Sequence, residues 1–276
     1  MKEILGFDEI IYHENECTVV KSIPAAAVFF EGHYPGNPIY PGVMQLELAA
    51  SAAKLFMESL GYKETLIKRI KKFRYLKKIS PGQVITVNLK YIKCVADGQE
   101  IDVTMIAEGE RVSYGSLIIG KEFEEPLYQY LYETKTQLLT MRSAGIGKCL
   151  PHRFPFMHID GIIELIPGKT VKALKNVSAN DYVFWGEEPG VPFPPLHMIE
   201  VFAQGTGVLC NFRGIPLLGV LSGVAFWGNA YPGDQMIVDA SIIKTVADKH
   251  IIGGTIKVGN REIFNIETVI TGMQDE

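Results

Sequence analysis

The chain has few cysteines, and their spacing argues against the two structures that cysteines most often build. The four are Cys17, Cys94, Cys149 and Cys210 in a chain of 276 residues, and no two of them form a CxxC pair. A disulfide framework or a zinc site is therefore not expected. Reduced thiols, as in the cytoplasm, are the prediction.

The sequence also lacks a long uncharged apolar run and an excess of positive charge. The longest candidate, Val43 to Leu60, contains Glu47, Lys54 and Glu58, so it falls short of the roughly 18 apolar residues of a membrane span. The first nine residues include acidic side chains and no apolar run, so no secretory signal is expected. A net charge of −4 gives no general reason to expect nucleic acid or a membrane surface as a partner.

Two segments of the chain have the same organisation. Residues 32–47 and 186–200 each contain a loop rich in proline and glycine, followed by the start of an apolar helix. Each segment ends with a glutamate on that helix. Farther along, Pro81 and Pro232 stand in matching turns that lie 151 residues apart (232 − 81). A near-constant offset over most of the chain predicts a duplicated domain, whereas a solenoid would repeat every 20–50 residues or so.

The predicted domains are residues 1–122 and 150–276, joined by a connector at 123–149. In each half one apolar helix, over Val43 to Leu60 or from about Leu196 to Phe212, precedes runs of alternating polar and apolar residues. Turns rich in glycine separate these runs, which is typical of antiparallel strands.

A long buried helix wrapped by a curved antiparallel sheet is the hotdog arrangement. Such a sheet has an edge strand that a second copy can cover, and fusing two copies makes this pairing intramolecular, at a high effective concentration. The predicted class is therefore α+β, with two tandem hotdog domains that form an intramolecular pseudo-dimer.

The segment from Gly32 to Glu47 resembles the active-site signature of the β-hydroxyacyl-[acyl carrier protein] dehydratases of fatty-acid synthesis. It reads GHYPGNPIYPGVMQLE and includes the 14-residue step (47 − 33) from His33 to Glu47. The similarity covers nearly the whole chain outside the connector, and includes residues 72–74, 80–83, 150–156, 174–177 and 200–204. It implies an enzyme, a 3-hydroxyacyl-[acyl carrier protein] dehydratase of fatty-acid, polyketide or polyene synthesis. Neither a metal nor a redox cofactor is implied, because phosphopantetheine enters as part of the substrate.

Dehydration requires a base for the α-proton, an acid for the departing hydroxyl and a donor to the thioester oxygen. A neutral histidine, a glutamate in an apolar tunnel and an N–H at a helix N-terminus suit these roles. In relatives that dimerise the site lies between subunits, so the resemblance implies His33 as base, Glu200 as acid and the Gly42 amide as donor. Other residues are expected to bind the substrate: Tyr34, Pro35, Gly36, Pro41, Val43 and Gln204, the last also by hydrogen bonding near its helix.

The reciprocal site would need Glu47, with Glu187 where the histidine should stand and Pro195 at the oxyanion position. Proline has no N–H to donate. We therefore expect one working site per chain, a degenerate second site and a structural role for Glu47.

Residues 68–78 contain seven basic residues in eleven, whereas the matching residues 222–229 carry no charge. Most charge runs are solvated strand faces. An acyl carrier protein is acidic, however, so a basic rim beside the tunnel would steer it. The residues predicted to dock it are Lys71, Lys72, Arg74, Lys77 and Lys78.

His197 and Glu200 stand at i and i+3, but two ligands are too few for a metal site. Core or surface roles are predicted for the remaining histidines: His13, His152, His158 and His250. Three alternatives are a dehydratase that also isomerises the double bond, a hotdog thioesterase, and a non-catalytic or partner-dependent acyl-carrier-binding subunit. Relatives that isomerise tend to carry aspartate as the acid, whereas this chain has glutamate. The resemblance also implies that the pseudo-dimer can assemble further into homo-oligomers.

Overall fold

The computed structural model describes residues 6–34, 36–63, 66–121, 138–188, 190–210, 215–247 and 249–274. Within these residues, thirteen strands form one antiparallel sheet. The strands are β1 (Glu9–Tyr12), β2 (Glu16–Ser22), β3 (Leu66–Tyr75), β4 (Val84–Val95), β5 (Gly98–Ala107), β6 (Glu110–Gly120), β7 (Met141–Arg142), β8 (Gly161–Ile166), β9 (Thr170–Asn176), β10 (Ile215–Phe226), β11 (Gln235–Val246), β12 (Lys249–Val258) and β13 (Arg261–Gln274).

The described α-helices are α1 (Val28–Gly32), α2 (Gly42–Ser59), α3 (Ser143–Cys149) and α4 (His197–Cys210). Helix α2 begins directly after Pro41 and ends before Gly61, whose φ of +84° is the left-handed conformation that closes helices. Ten of its eighteen residues are buried, as the apolar sequence predicts. None of the helices in the described ranges is long and apolar enough to cross a membrane.

Counted from its outer edge inwards, the second half of the sheet repeats the order of the first, with β7 added at that edge. The strand order is β1-β2-β4-β5-β6-β3 and then β10-β13-β12-β11-β9-β8-β7. The halves join through β3 and β10, which pair from Arg74 with Val220 to Arg69 with Ala225. Each half thus covers the sheet edge of the other, and the predicted α+β class with two fused hotdog units is confirmed.

The end of the predicted connector belongs to the sheet of the second half. Strand β7 pairs with β8, and Ile146 of α3 is fully buried. Residues 122–137 lie outside the described residues. The domain boundaries stay a prediction.

Candidate active site

A cleft of about 870 Å³ lies between the two halves. His33 and Gly42 of the first half line it together with Glu200 of the second half. Residues about 160 positions apart in sequence therefore face one volume.

His33 follows helix α1 directly and is held in one orientation. Its backbone N–H donates to the Phe29 carbonyl at 2.9 Å, and its Nδ1 lies 2.8 Å from the carbonyl oxygen of Ile39. Because a carbonyl only accepts, this contact assigns the ring proton to Nδ1 and leaves the Nε2 lone pair for other partners. Burial lowers the pKa of His33 to about 4, so the ring is neutral at pH 7.

Glu200 lies in the first turn of α4, and its side chain is 12% exposed. Burial raises the pKa of Glu200 to about 7, opposed by a hydrogen bond from Gln204. A carboxyl group in this environment retains a proton near neutral pH and can donate it.

Gln204 braces Glu200 and does not line the cleft. Its Nε2 donates to Oε1 of Glu200 at 2.9 Å and to the Phe156 carbonyl at 2.8 Å, while its Oε1 accepts from the His158 N–H at 2.8 Å. Three protein partners occupy the Gln204 amide. Gln204 therefore makes the hydrogen bonds expected near its helix, and its amide is not available to bind the substrate.

Gly42 is the first residue of α2, where helical N–H groups have no intrahelical acceptor. Within the described residues its N–H donates to no other group. Its carbonyl accepts from the Tyr75 hydroxyl at 3.0 Å, and a Cβ here would stand 3.2 Å from the Tyr75 ring. The N–H adds a donor and the positive end of the helix dipole to the cleft.

The other residues that the sequence assigns to substrate binding divide into two groups. Tyr34 and Val43 line the cleft, whereas Gly36 and Pro41 do not. Pro35 lies outside the described residues.

His152, for which the sequence predicts a core or surface role, is buried and also lines the cleft. Its Nε2 lies 3.4 Å from Oε1 of Glu200, and its ring centroid lies 5.5 Å from that of His33. The signal was present in the dehydratase-like segment Leu150 to Phe156, but the spacing of histidines alone does not show it.

The loops that carry His33 and His152 touch through their backbones. The Arg153 N–H donates to the Gly32 carbonyl at 2.8 Å, across the two halves. A Cβ on Gly32 would stand 2.3 Å from the Arg153 carbonyl oxygen and 2.7 Å from the Phe156 nitrogen. The close approach that brings the two histidines together therefore requires glycine at position 32.

We expect Gly32→Ala to lower kcat by about 100-fold, because the added methyl forces the two loops apart and small misplacements are costly in catalysis. Gly147→Ala is the matched control, since nothing stands within 4 Å of a Cβ at that helical position. Turnover and melting temperature of both variants check this. Wild-type turnover in Gly32→Ala would show that the loop contact does not set the site.

The position reciprocal to Glu200 has a different environment. Burial raises the pKa of Glu47 to about 7, but Glu47 does not line the cleft. No hydrogen bond or ion pair joins its carboxylate to another described residue. The Glu187 N–H donates to the Phe184 carbonyl, and Pro195 accepts from the Met198 N–H, which continues the turn into α4.

His197 is fully buried and does not line the cleft that Glu200 lines. Its Nδ1 lies 3.4 Å from Nε2 of His158 and 3.5 Å from the Tyr182 hydroxyl. Burial lowers the pKa of His197 to about 4. Among the described residues, no group of three or more His, Cys, Asp and Glu side chains is arranged to hold a metal ion.

The basic run divides between the cleft and the outer face of the sheet. Arg74, Lys77 and Lys78 line the cleft, and Lys77 pairs with Glu110. Lys71 and Lys72 are exposed and do not line it, and Lys71 instead pairs with Glu100 at 2.6 Å. Lys249 at the start of β12 also lines the cleft, which sequence reasoning missed because no charge run surrounds it.

Comparisons with known proteins point to one family. A protein-family model described as ApeI-like, ApeI dehydratase, matches residues 9–115. The 3-hydroxyacyl-[acyl-carrier-protein] dehydratase FabZ of Photorhabdus laumondii is 39% identical over 114 residues, which cover 38% of this chain and 75% of that protein. The FabZ of Enterococcus faecalis is 35% identical over 128 residues, 44% of this chain and 91% of that protein.

Solved structures show the same fold over the full length. The dehydratase domain of PpsC from Mycobacterium tuberculosis has a TM-score of 0.69 at 14% identity, with coverage of 98% of this chain and 99% of that one. The dehydratase domain of RzxB from Pseudomonas fluorescens has a TM-score of 0.63 at 8% identity, with coverage of 96% and 97%. These likenesses concern the fold, and the sequence matches concern the family. The chain belongs to the FabZ family of 3-hydroxyacyl-[acyl-carrier-protein] dehydratases, with two hotdog units fused in one polypeptide.

Proposed function

We propose that this chain dehydrates β-hydroxyacyl thioesters on an acyl carrier protein to trans-2-enoyl thioesters, in fatty-acid, polyketide or polyene synthesis. One observation carries the proposal: a neutral histidine, a glutamate with a raised pKa and a helix-terminal N–H line the same cleft. The relatives named as 3-hydroxyacyl-[acyl-carrier-protein] dehydratases support the reaction and the kind of substrate.

In the proposed reaction, Nε2 of His33 takes the α-proton, and the electron pair of that C–H bond becomes the new double bond. The Gly42 N–H stabilises the negative charge that develops on the thioester oxygen. Glu200 donates its proton to the β-hydroxyl as the C–O bond breaks, so the hydroxyl leaves as water. Return of a proton from His33 to Glu200 restores the starting state.

Every role in this reaction is filled by groups of the chain itself, so we propose no metal and no redox cofactor. Phosphopantetheine enters as part of the substrate. All four cysteines are free thiols, which supports the cytoplasm as the proposed location.

We propose that only this one site per chain is active. In the reciprocal position Glu187 replaces the histidine and Pro195 lacks the donor N–H, while Glu47 stands outside the cleft. Glu47 is then a structural residue of α2.

The proposed carrier-docking surface is the basic rim, defined as Arg74, Lys77, Lys78 and Lys249. All four line the cleft, and three of them, all but Lys77, make no ion pair with other described residues. Cations around the cleft would attract an acidic carrier protein and orient its substrate arm. The surface is formed by both halves, because Lys249 comes from the second.

We expect the double variant Arg74→Glu with Lys78→Glu to raise KM for a carrier-bound substrate by about tenfold, through loss of electrostatic steering. The KM for a short pantetheine thioester should not change. Lys169→Glu, in the exposed turn between β8 and β9 and outside the cleft lining, is the matched control.

A further variant, Lys72→Glu, tests whether the carrier protein docks only on the basic rim or along the whole basic run of residues 68–78. An unchanged KM limits docking to the rim, and a raised KM extends it along β3. Equal effects of the rim variant on carrier-bound and short substrates would contradict docking at this surface.

The function is tested by incubating the purified chain with a β-hydroxyacyl-pantetheine thioester and following the conjugated enoyl thioester by its ultraviolet absorbance. Formation of enoyl product is the expected result. Tight binding of an acyl carrier protein without turnover of either substrate would favour a non-catalytic or partner-dependent subunit.

A further inference from the structure

His152 lies close to both proposed catalytic side chains and is fixed by packing. Its ring centroid lies 5.5 Å from that of His33 and 5.4 Å from that of Tyr34, and the ring stacks on Phe156 at 6.2 Å. The residue is 7% exposed. The Arg153 side chain donates to the carbonyls of Leu150 and His152, and the Arg153 backbone N–H donates to the Gly32 carbonyl. These contacts fix the loop that carries His152.

The contacts of the His152 ring point to its tautomer. Its Nδ1 is buried and has no partner among the described residues, whereas its Nε2 lies 3.4 Å from Oε1 of Glu200. A neutral imidazole has one N–H. Placing that proton on Nε2 gives it an acceptor and leaves only a lone pair at the unpartnered nitrogen.

Oε1 of Glu200 then faces two donors, because Nε2 of Gln204 also donates to it at 2.9 Å. A protonated carboxyl group has one acceptor oxygen and one O–H group. The two donors identify Oε1 as the acceptor, so the acid proton is located on Oε2.

We propose that His152 is a positioning residue: its Nε2–H holds Oε1 of Glu200, so that the acid proton stays on Oε2 and is presented to the substrate hydroxyl. This rests on the proposed function, which makes Glu200 the acid. The second half of the chain thus supplies the acid together with two side chains that orient it.

The charge state of the surroundings agrees with this arrangement. Burial, with His33 and Arg153 nearby, lowers the pKa of His152 to about 3, so the ring keeps a single N–H. Among the described residues, the tyrosines that feel the charge of Glu200 are Tyr34, Tyr75 and Tyr182, and burial raises their pKa values above the usual value. Those three hydroxyls stay neutral at pH 7. A change at His152 therefore acts on Glu200 without a competing change in charge.

The test compares His152→Gln, which places an amide N–H near the position of Nε2, with His152→Asn, whose shorter amide corresponds to Nδ1. We expect His152→Asn to lower kcat by about 10-fold to 100-fold, because it removes one hydrogen bond to the carboxylate that forms as Glu200 gives up its proton, with KM changed less than about twofold. His152→Gln should restore most of kcat.

A second readout needs no turnover. Infrared difference spectra follow the protonated carboxyl band of Glu200, assigned as the band that Glu200→Gln removes. The pKa of Glu200 should be about 7 in the wild type. It should be higher in His152→Asn, because a donor to the ionised form is lost, and unchanged in His152→Gln.

An unchanged Glu200 pKa in His152→Asn overturns the proposal, as does equal kcat in the two variants. A wild type without turnover would refute the proposed function instead. The infrared titration would then still decide whether His152 holds Glu200.

Discussion

Glu200→Gln should lower kcat by about 10²–10⁴-fold, the usual contribution of a positioned acid or base. Glutamine keeps the shape of the side chain and the acceptor for Gln204, but it has no proton to give to the departing hydroxyl. Glu47→Gln should leave kcat within about twofold, because Glu47 does not line the cleft. Steady-state turnover of a β-hydroxyacyl-pantetheine thioester measures both effects.

The comparison is a matched one, because both glutamates lie on buried helices of corresponding halves and burial raises both pKa values to about 7. Stability changes from the two substitutions should therefore be similar. Loss of activity in Glu47→Gln alone would mean that the halves pair in the opposite sense. Equal losses in both variants would mean two working sites or a common structural effect.

Raising the pH from 6 to 9 should lower kcat/KM by about 90-fold, because Glu200 acts as an acid only while protonated. With a pKa of about 7, the protonated fraction falls tenfold for each pH unit well above that value. The base has the opposite requirement: His33 must be neutral, and its pKa of about 4 places the acidic limb near pH 4. Activity should thus be highest between these two values.

The assignment of the alkaline limb has an internal control. Glu47 has a similarly raised pKa, so Glu47→Gln should keep the limb near pH 7 if Glu200 produces it. If the alkaline limb disappears in Glu47→Gln, the limb belongs to Glu47 and not to Glu200. A rate that stays constant up to pH 9 would exclude Glu200 as the acid.

Much of the fold could be predicted from the sequence because the chain is duplicated, and the proposed catalytic set because residues 32–47 resemble the dehydratase signature. The matching offset identifies two halves, and the changed residues Glu187 and Pro195 identify which half lost its loop chemistry. The implied partnership of His33 with Glu200, rather than with Glu47, agrees with the cleft that contains the first two.

The remaining features depend on contacts between distant segments. His152 reaches Glu200 because its loop packs against Gly32, a contact between residues about 120 positions apart. Lys249 joins the rim only through the sheet order. Neither contact leaves a periodic pattern in the sequence.

Two expectations were adjusted for similar reasons. Lys71 and Lys72 share a strand with Arg74, but within the basic run the cleft touches the chain only from Arg74 to Lys78, at the end of β3 and directly after it. Only Arg74 among the three lines the cleft. Gln204 stands one turn after Glu200, and the Phe156 carbonyl and the His158 N–H, both from another loop, occupy the groups that a substrate would need.

The proposed base and acid come from different halves of the same chain. The most direct measurement mixes His33→Asn, which keeps only the acid, with Glu200→Gln, which keeps only the base, and follows turnover over time and across concentrations. Because the site is assembled within each polypeptide, the mixture should remain as inactive as its two components. Activity that appears on mixing and rises with concentration would show that the site forms between chains, and would contradict the intramolecular pairing.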